Sequence, residues 1–189
     1  MNINGWDYPF ESLPNWDRRN TLYNAYGYDR LYENKQMNMA VLLYSVAEVS
    51  MCYCAGFLAI FRNKNAPKLV LQVKHSFYEK DVMFSSDAKY AFAIPGRYTQ
   101  GIFIFDLEKE TFAFFNIISS SIQMCVKEIG GNKFIITFDE SQMRNSEKNK
   151  KLHGTKIDID LLKWHPFKQI DSFCEKLECL NNGKVNYIS

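Results

Sequence analysis

A chain of 189 residues with 47% hydrophobic and 23% charged residues has the balance of one globular domain, which excludes a disordered or low-complexity protein. Its formal net charge is only +2, so no global field draws it to nucleic acid or to an anionic membrane surface. The apolar runs stop well short of the about 20 residues a membrane helix needs, and Met1-Asn2-Ile3-Asn4-Gly5 lacks the basic and apolar regions of a secretory signal.

These features predict a soluble, cytoplasmic protein without a membrane contact. The 15 Phe and 11 Tyr suit β-structure, where flat side chains pack on pleated surfaces. The five cysteines include Cys52 and Cys54, on one face of a strand, and Cys174 and Cys179, which do not have metal-ligand spacing. His75, His153 and His165 are scattered. Free thiols of a reducing compartment account for this pattern, and no metal or cofactor is expected.

Residues 1–37 form a distinct aromatic-rich segment among many Asn, Asp and Arg residues. Pro9 and Pro14 rule out a long regular element before Trp16, a short helix could start near Asn15, and Tyr26-Gly27-Tyr28 reads as a turn or irregular strand. Residues 38–168 are expected to form a β-meander. Met39 to Val46 and Ser50 to Phe61 are apolar runs without helical spacing. Lys68 to Val73 alternates, Val82 to Phe84 reads as a short strand, and Ser85-Ser86-Asp87-Ala88 turns the chain into Lys89 to Ile94. Gly101 to Leu107 and Thr111 to Ile117 read as a hairpin. Ile122 to Ile129 and Lys133 to Phe138 flank a Gly130-Gly131-Asn132 turn. Residues 141–154 are a polar inserted loop, after which Lys156 to Leu161 resumes the strand pattern. In the closing segment, 169–189, a helix is expected near Ser172 to Asn181. Ser172 and Glu175 have capping-box spacing, and Phe173, Leu177 and Leu180 lie on one face.

The strands echo one another. Leu58 to Phe61 and Ile102 to Phe105 share one register 44 residues apart, as do Lys89 to Ile94 and Lys133 to Phe138. Such a period marks four-stranded repeats. Phe84-Ser85-Ser86-Asp87-Ala88-Lys89-Tyr90-Ala91, followed by Ile104-Phe105-Asp106-Leu107, resembles the blade pattern of WD-repeat-type β-propellers over about residues 40–165. The Trp-Asp pair is absent from every copy, and about three repeats are fewer than the four blades of a closed propeller. The expected fold is therefore a single mostly β domain. Its antiparallel, propeller-blade-like repeats make an open twisted sheet or sandwich, with an irregular N-terminal segment and a C-terminal helix.

No phosphate-binding glycine loop or nucleophile elbow is present; Gly130-Gly131-Asn132-Lys133 has hairpin character. The carboxylates Asp139 and Glu140, and Asp158 and Asp160 on one strand face, could in principle serve a hydrolase. A solvated strand face explains them as well, and His165 beside Trp164 reads as a loop histidine. Arg144, Lys148, Lys150 and Lys151 make the inserted loop basic, suited to an acidic protein surface and lacking the aromatics that stack on single strands. Trp6, Tyr8, Trp16, Arg18, Arg19, Tyr26, Tyr28 and Arg30 concentrate the residue types that dominate interface hot spots; they serve either as core capping the sheet or as an exposed binding surface.

The expected function is protein binding without catalysis. In its small size, cytoplasmic character and lack of catalytic motifs, the chain resembles bacterial immunity proteins of contact-dependent and polymorphic toxin systems. That resemblance implies a cognate toxin domain as partner. A self-associating scaffold is the alternative, and a hydrolase using paired carboxylates comes third.

Overall fold

A computed structural model describes residues 2–13, 30–45, 55–95, 101–116, 124–130, 132–139 and 152–181. The chain opens on a two-residue hairpin, β1 (Asn2–Ile3) and β2 (Trp6–Asp7). Its turn is Asn4-Gly5, with φ of 51° and 81°. Positive φ at both central residues is what this hairpin turn requires, and Asn-Gly supplies it. A 3-10 turn over Phe10–Ser12 follows Pro9.

Ten further strands and a short closing one come next: β3 (Arg30–Asn34), β4 (Met39–Ser45), β5 (Ala55–Arg62), β6 (Lys68–Phe84), β7 (Tyr90–Pro95), β8 (Gly101–Asp106), β9 (Thr111–Asn116), β10 (Met124–Gly130), β11 (Lys133–Asp139), β12 (Leu152–Asp158) and β13 (His165–Pro166). The helix α1 (Ile170–Asn181) ends the described chain. All strand pairs are antiparallel. Eight strands form one sheet in the order β13-β9-β8-β7-β6-β5-β4-β3, and β10-β11-β12 form a second. The protein is therefore mostly β with a C-terminal helix, as the alternating strands imply.

The large sheet is folded back on itself at β6. The N-terminal part of this 17-residue strand pairs with β5, and the part after Phe77 pairs with β7 across a register shift between Phe77 and Val82. In a flat sheet β3 and β7 would stand about 19 Å apart, four strand spacings. Instead Asn34 Nδ2 on β3 donates to the Ala88 carbonyl at 2.6 Å, just before β7. Arg62 at the end of β5 likewise reaches Glu110, beyond β8, at 3.0 Å.

The fold stacks layers around three apolar clusters. Met39, Val41, Leu43, Leu58 and Ile60 meet Ala91, Ala93, Phe103 and Phe105 in the central cluster, between the two halves of the large sheet. The opposite face of the first half packs under residues 2–13: Ala40, Leu42, Ala59 and Phe61 lie against Trp6, Phe10 and Leu13. The opposite face of the second half meets the small sheet, where Tyr90, Phe92, Ile102 and Ile104 pack on Phe134, Ile136, Ile157 and Ile159. Strands β7 and β8, buried on both faces along their whole length, are accordingly near-continuous apolar runs. The echoed segments are strands, Leu58–Phe61 in β5, Ile102–Phe105 in β8, Tyr90–Ile94 in β7 and Lys133–Phe138 in β11, but Leu58 and Ile60 face the central cluster where the aligned Ile102 and Ile104 face the small sheet.

Several elements differ from the sequence expectation. The sheet begins at Arg30, inside the 1–37 segment. Val82–Phe84 is the end of one long strand, because polar Glu79-Lys80-Asp81 marks a change of partner and not a break. Leu152, His153 and Gly154 belong to β12, which shortens the inserted loop. Lys156 to Leu161 is not one strand: β12 stops at Asp158, whose side chain accepts the Asp160 N–H and starts a 3-10 turn. The helix begins at Ile170, and the Ser172 hydroxyl donates to the Gln169 carbonyl instead of capping an N–H. Its inward residues are Ile170, Phe173, Cys174 and Leu177, all on the central cluster.

Candidate protein-binding surface

Of the aromatic and basic residues singled out in the N-terminal segment, Trp6, Tyr8 and Arg30 are described; Trp16, Arg18, Arg19, Tyr26 and Tyr28 lie outside the described residues. The structure corrects the expectation for Trp6. Its indole is 0% exposed and closes the cluster beneath residues 2–13, so it has no surface to offer a partner. The Nε1–H is buried without a partner at hydrogen-bonding geometry. Tyr8 is half-buried, its ring 4.7 Å from that of Phe61. Arg30 is exposed at the start of edge strand β3, opposite Leu43. Nearby, a hydrogen bond from Lys64 at 2.9 Å is the main cause that holds the Glu33 carboxyl below its ordinary pKa.

Of the hydrolase candidates, Asp158 and Asp160 are engaged in structure. Asp158 pairs with Lys133 at 3.6 Å and caps the turn, while Asp160 accepts from Asn132 Nδ2 at 3.2 Å. His165 packs its ring between Phe112 and Phe173, at 5.5 and 5.4 Å. His75 is buried against Phe77 and Phe103. Glu140 lies outside the described residues, as do the loop residues Arg144, Lys148, Lys150 and Lys151. Among the described residues no group of three or more His, Cys, Asp or Glu is placed to hold a metal ion. No helix of the described residues is long and apolar enough to cross a membrane.

The surface that composition alone did not reveal is the outer face of the small sheet. Alternation decides it. Val126, Phe134, Ile136 and Ile157 face inward to the second half of the large sheet. Their neighbours face outward, in cross-strand rows fixed by the register. Lys127 lies opposite Ile135, and Ile135 opposite Lys156; Lys133 lies opposite Asp158. Lys127, Lys133 and Lys156 are exposed, Ile135 is half-buried, and Ile129 on the same strand as Lys127 is 40% exposed. Lys127 and Lys156 make no ion pair with a described residue. The inserted loop that carries Arg144, Lys148, Lys150 and Lys151 joins β11 to β12 of this same sheet. The available signal was the repeat itself. Aligned on Lys89–Ile94, Ile135 takes the position of Ala91; its two cross-strand partners are Lys127 and Lys156, where those of Ala91 are Phe84 and Phe105.

Comparison with family models, curated proteins and solved structures finds no match to this chain.

Proposed function

We propose that this protein is a non-catalytic binding module for another protein, most sharply a cytoplasmic immunity protein that neutralises a toxin domain. The observation that carries the proposal is the outer face of β10-β11-β12, where a half-buried isoleucine sits between two exposed lysines. An apolar centre with a charged rim is the anatomy of a protein interface. Rim charges of one sign speed encounter with a complementary partner. The engagement of Asp158, Asp160 and His165 in turns and packing supports binding over hydrolysis.

The test is to purify the tagged full chain from its native cells, identify what co-purifies, and reconstitute the complex from purified components. A single partner that re-forms a 1:1 complex supports the module. A partner whose expression arrests growth unless this chain is present supports the immunity reading. A chain that stays alone, with no reconstituted complex, overturns both.

A further inference from the structure

Resting on the reading above, we infer that the outer face of β10-β11-β12 docks an acidic protein surface, with Ile135 as the apolar centre and Lys127 and Lys156 as its charged flanks. The two lysines stand on strands two spacings apart, about 10 Å, on either side of Ile135. That spacing suits two carboxylates of one partner strand or helix flanking an aliphatic side chain. Lys133 adds positive charge to the same face, offset by Asp158 at 3.6 Å. Three lysines against two carboxylate positions, Asp158 and, by the alternation of β11, Asp139, leave the face net positive.

Charge also decides against the other occupants. A second copy meeting this face through its own equivalent would set lysine against lysine, which disfavours a two-fold dimer here. Two of the chain's own remaining segments are poorly suited. Residues 140–151 carry Arg144, Lys148, Lys150 and Lys151 against Glu140 and Glu147, and residues 182–189 carry only Lys184. Each would add positive charge to a face already basic. Nucleic acid would find the lysines, but the centre between them is an aliphatic side chain with no exposed aromatic on which a base could stack.

The experiment pans a displayed random-peptide library on the immobilised full chain and compares binders between wild type and K127E/K156E. Both lysines are exposed, so thermal unfolding of the variant should match wild type. The expected result is enrichment of peptides pairing Asp or Glu with an aliphatic residue. Their affinity should fall at least tenfold in K127E/K156E, fall less in K127A/K156A, and weaken steeply with added salt. Enriched peptides without acidic bias, or acidic peptides indifferent to K127E/K156E, overturn the surface. So does a dimer seen by light scattering that K127E/K156E dissolves, or a labelled polyuridine probe whose retention depends on the two lysines. A native partner that binds K127E/K156E as tightly as wild type removes this surface and leaves the binding module standing, whereas failure to reconstitute any native complex removes the module itself.

Discussion

Trp6 separates core from interface most sharply, and its truncation has a calculable cost. The indole is fully buried with Phe10, Leu13, Leu42 and Phe61 around it. A tryptophan side chain buries about 200 Å², and at about 25 cal/mol per Å² this amounts to an upper figure of about 5 kcal/mol. Large-to-small core substitutions of this kind cost about 3–5 kcal/mol. Trp6→Ala should therefore lose about 4 kcal/mol, a large part of the about 5–15 kcal/mol that holds a domain folded. With a urea slope of about 2 kcal/mol per molar, the unfolding midpoint should fall by about 2 M. Trp6→Phe tests the reasoning from the other side. It keeps most of the apolar volume and removes a buried N–H that meets no partner at hydrogen-bonding geometry but lies near enough to the Glu33 carboxyl to help hold its pKa down. Its net loss should be about 1–2 kcal/mol. Urea titrations followed by far-ultraviolet circular dichroism measure both. A Trp6→Ala protein within about 0.5 kcal/mol of wild type would refute the core assignment, and one that also lost its partner would return Trp6 to the interface.

Two further substitutions probe the layers. At Gly101, which opens β8 opposite Asn116, a Cβ would lie 2.7 Å from the Phe115 carbonyl oxygen and closer still to the Phe114 ring. Gly101→Ala should destabilise by about 1–3 kcal/mol or more. Adding Phe114→Ala should recover none of the part owed to the backbone, so a double variant as stable as Phe114→Ala alone would contradict this packing. The Glu33 carboxyl titrates below its usual 4.5 in the folded state, chiefly because Lys64 bonds to it. Its folded pKa is depressed, so its contribution is present above about pH 4.5 and is lost as the pH falls through the lowered value. Glu33→Gln should cost about 0.5 kcal/mol at pH 7, with the gap to wild type closing in acid; a gap that stayed constant from pH 7 to pH 2 would remove the ion pair as its cause.

The fold was legible where burial imposed a pattern. Tyr90–Pro95 and Gly101–Asp106 are buried on both faces, and their apolar runs announced strands. The Asn4-Gly5 pair carried a hairpin signal of the strongest short-range kind, hidden because each strand is only two residues long. Partner exchange within a strand left no mark: Glu79-Lys80-Asp81 looks like a break and sits where β6 passes from β5 to β7. Asp158 and Asp160 alternate like strand residues, yet a side chain that accepts the N–H two residues on can end a strand, and Asp158 does so. The candidate surface was not legible: Lys127, Ile135 and Lys156 are far apart in the chain and meet only through the register of three strands.

The two ends of the stack show why that register matters for function. Each sheet layer has two faces, and an apolar face must be covered. At one end, residues 2–13 cover the first half of the large sheet with Trp6, Phe10 and Leu13, so that Ala40, Leu42, Ala59 and Phe61 are buried there. At the other end the small sheet turns Lys127, Lys133 and Lys156 outward, and these positions are polar where those of β4 and β5 are apolar. Polar residues make this end stable in water without a cover, in keeping with an antiparallel sheet that meets solvent on one side. Solvation alone would be served equally well by mixed charges. On the docking proposal, the Lys127-Ile135-Lys156 row disfavours a second copy and favours a carboxylate-bearing partner, so the charge of the face, more than its area, would select what binds. Reversing Lys127 and Lys156 should therefore change which peptides bind without changing whether the sheet folds.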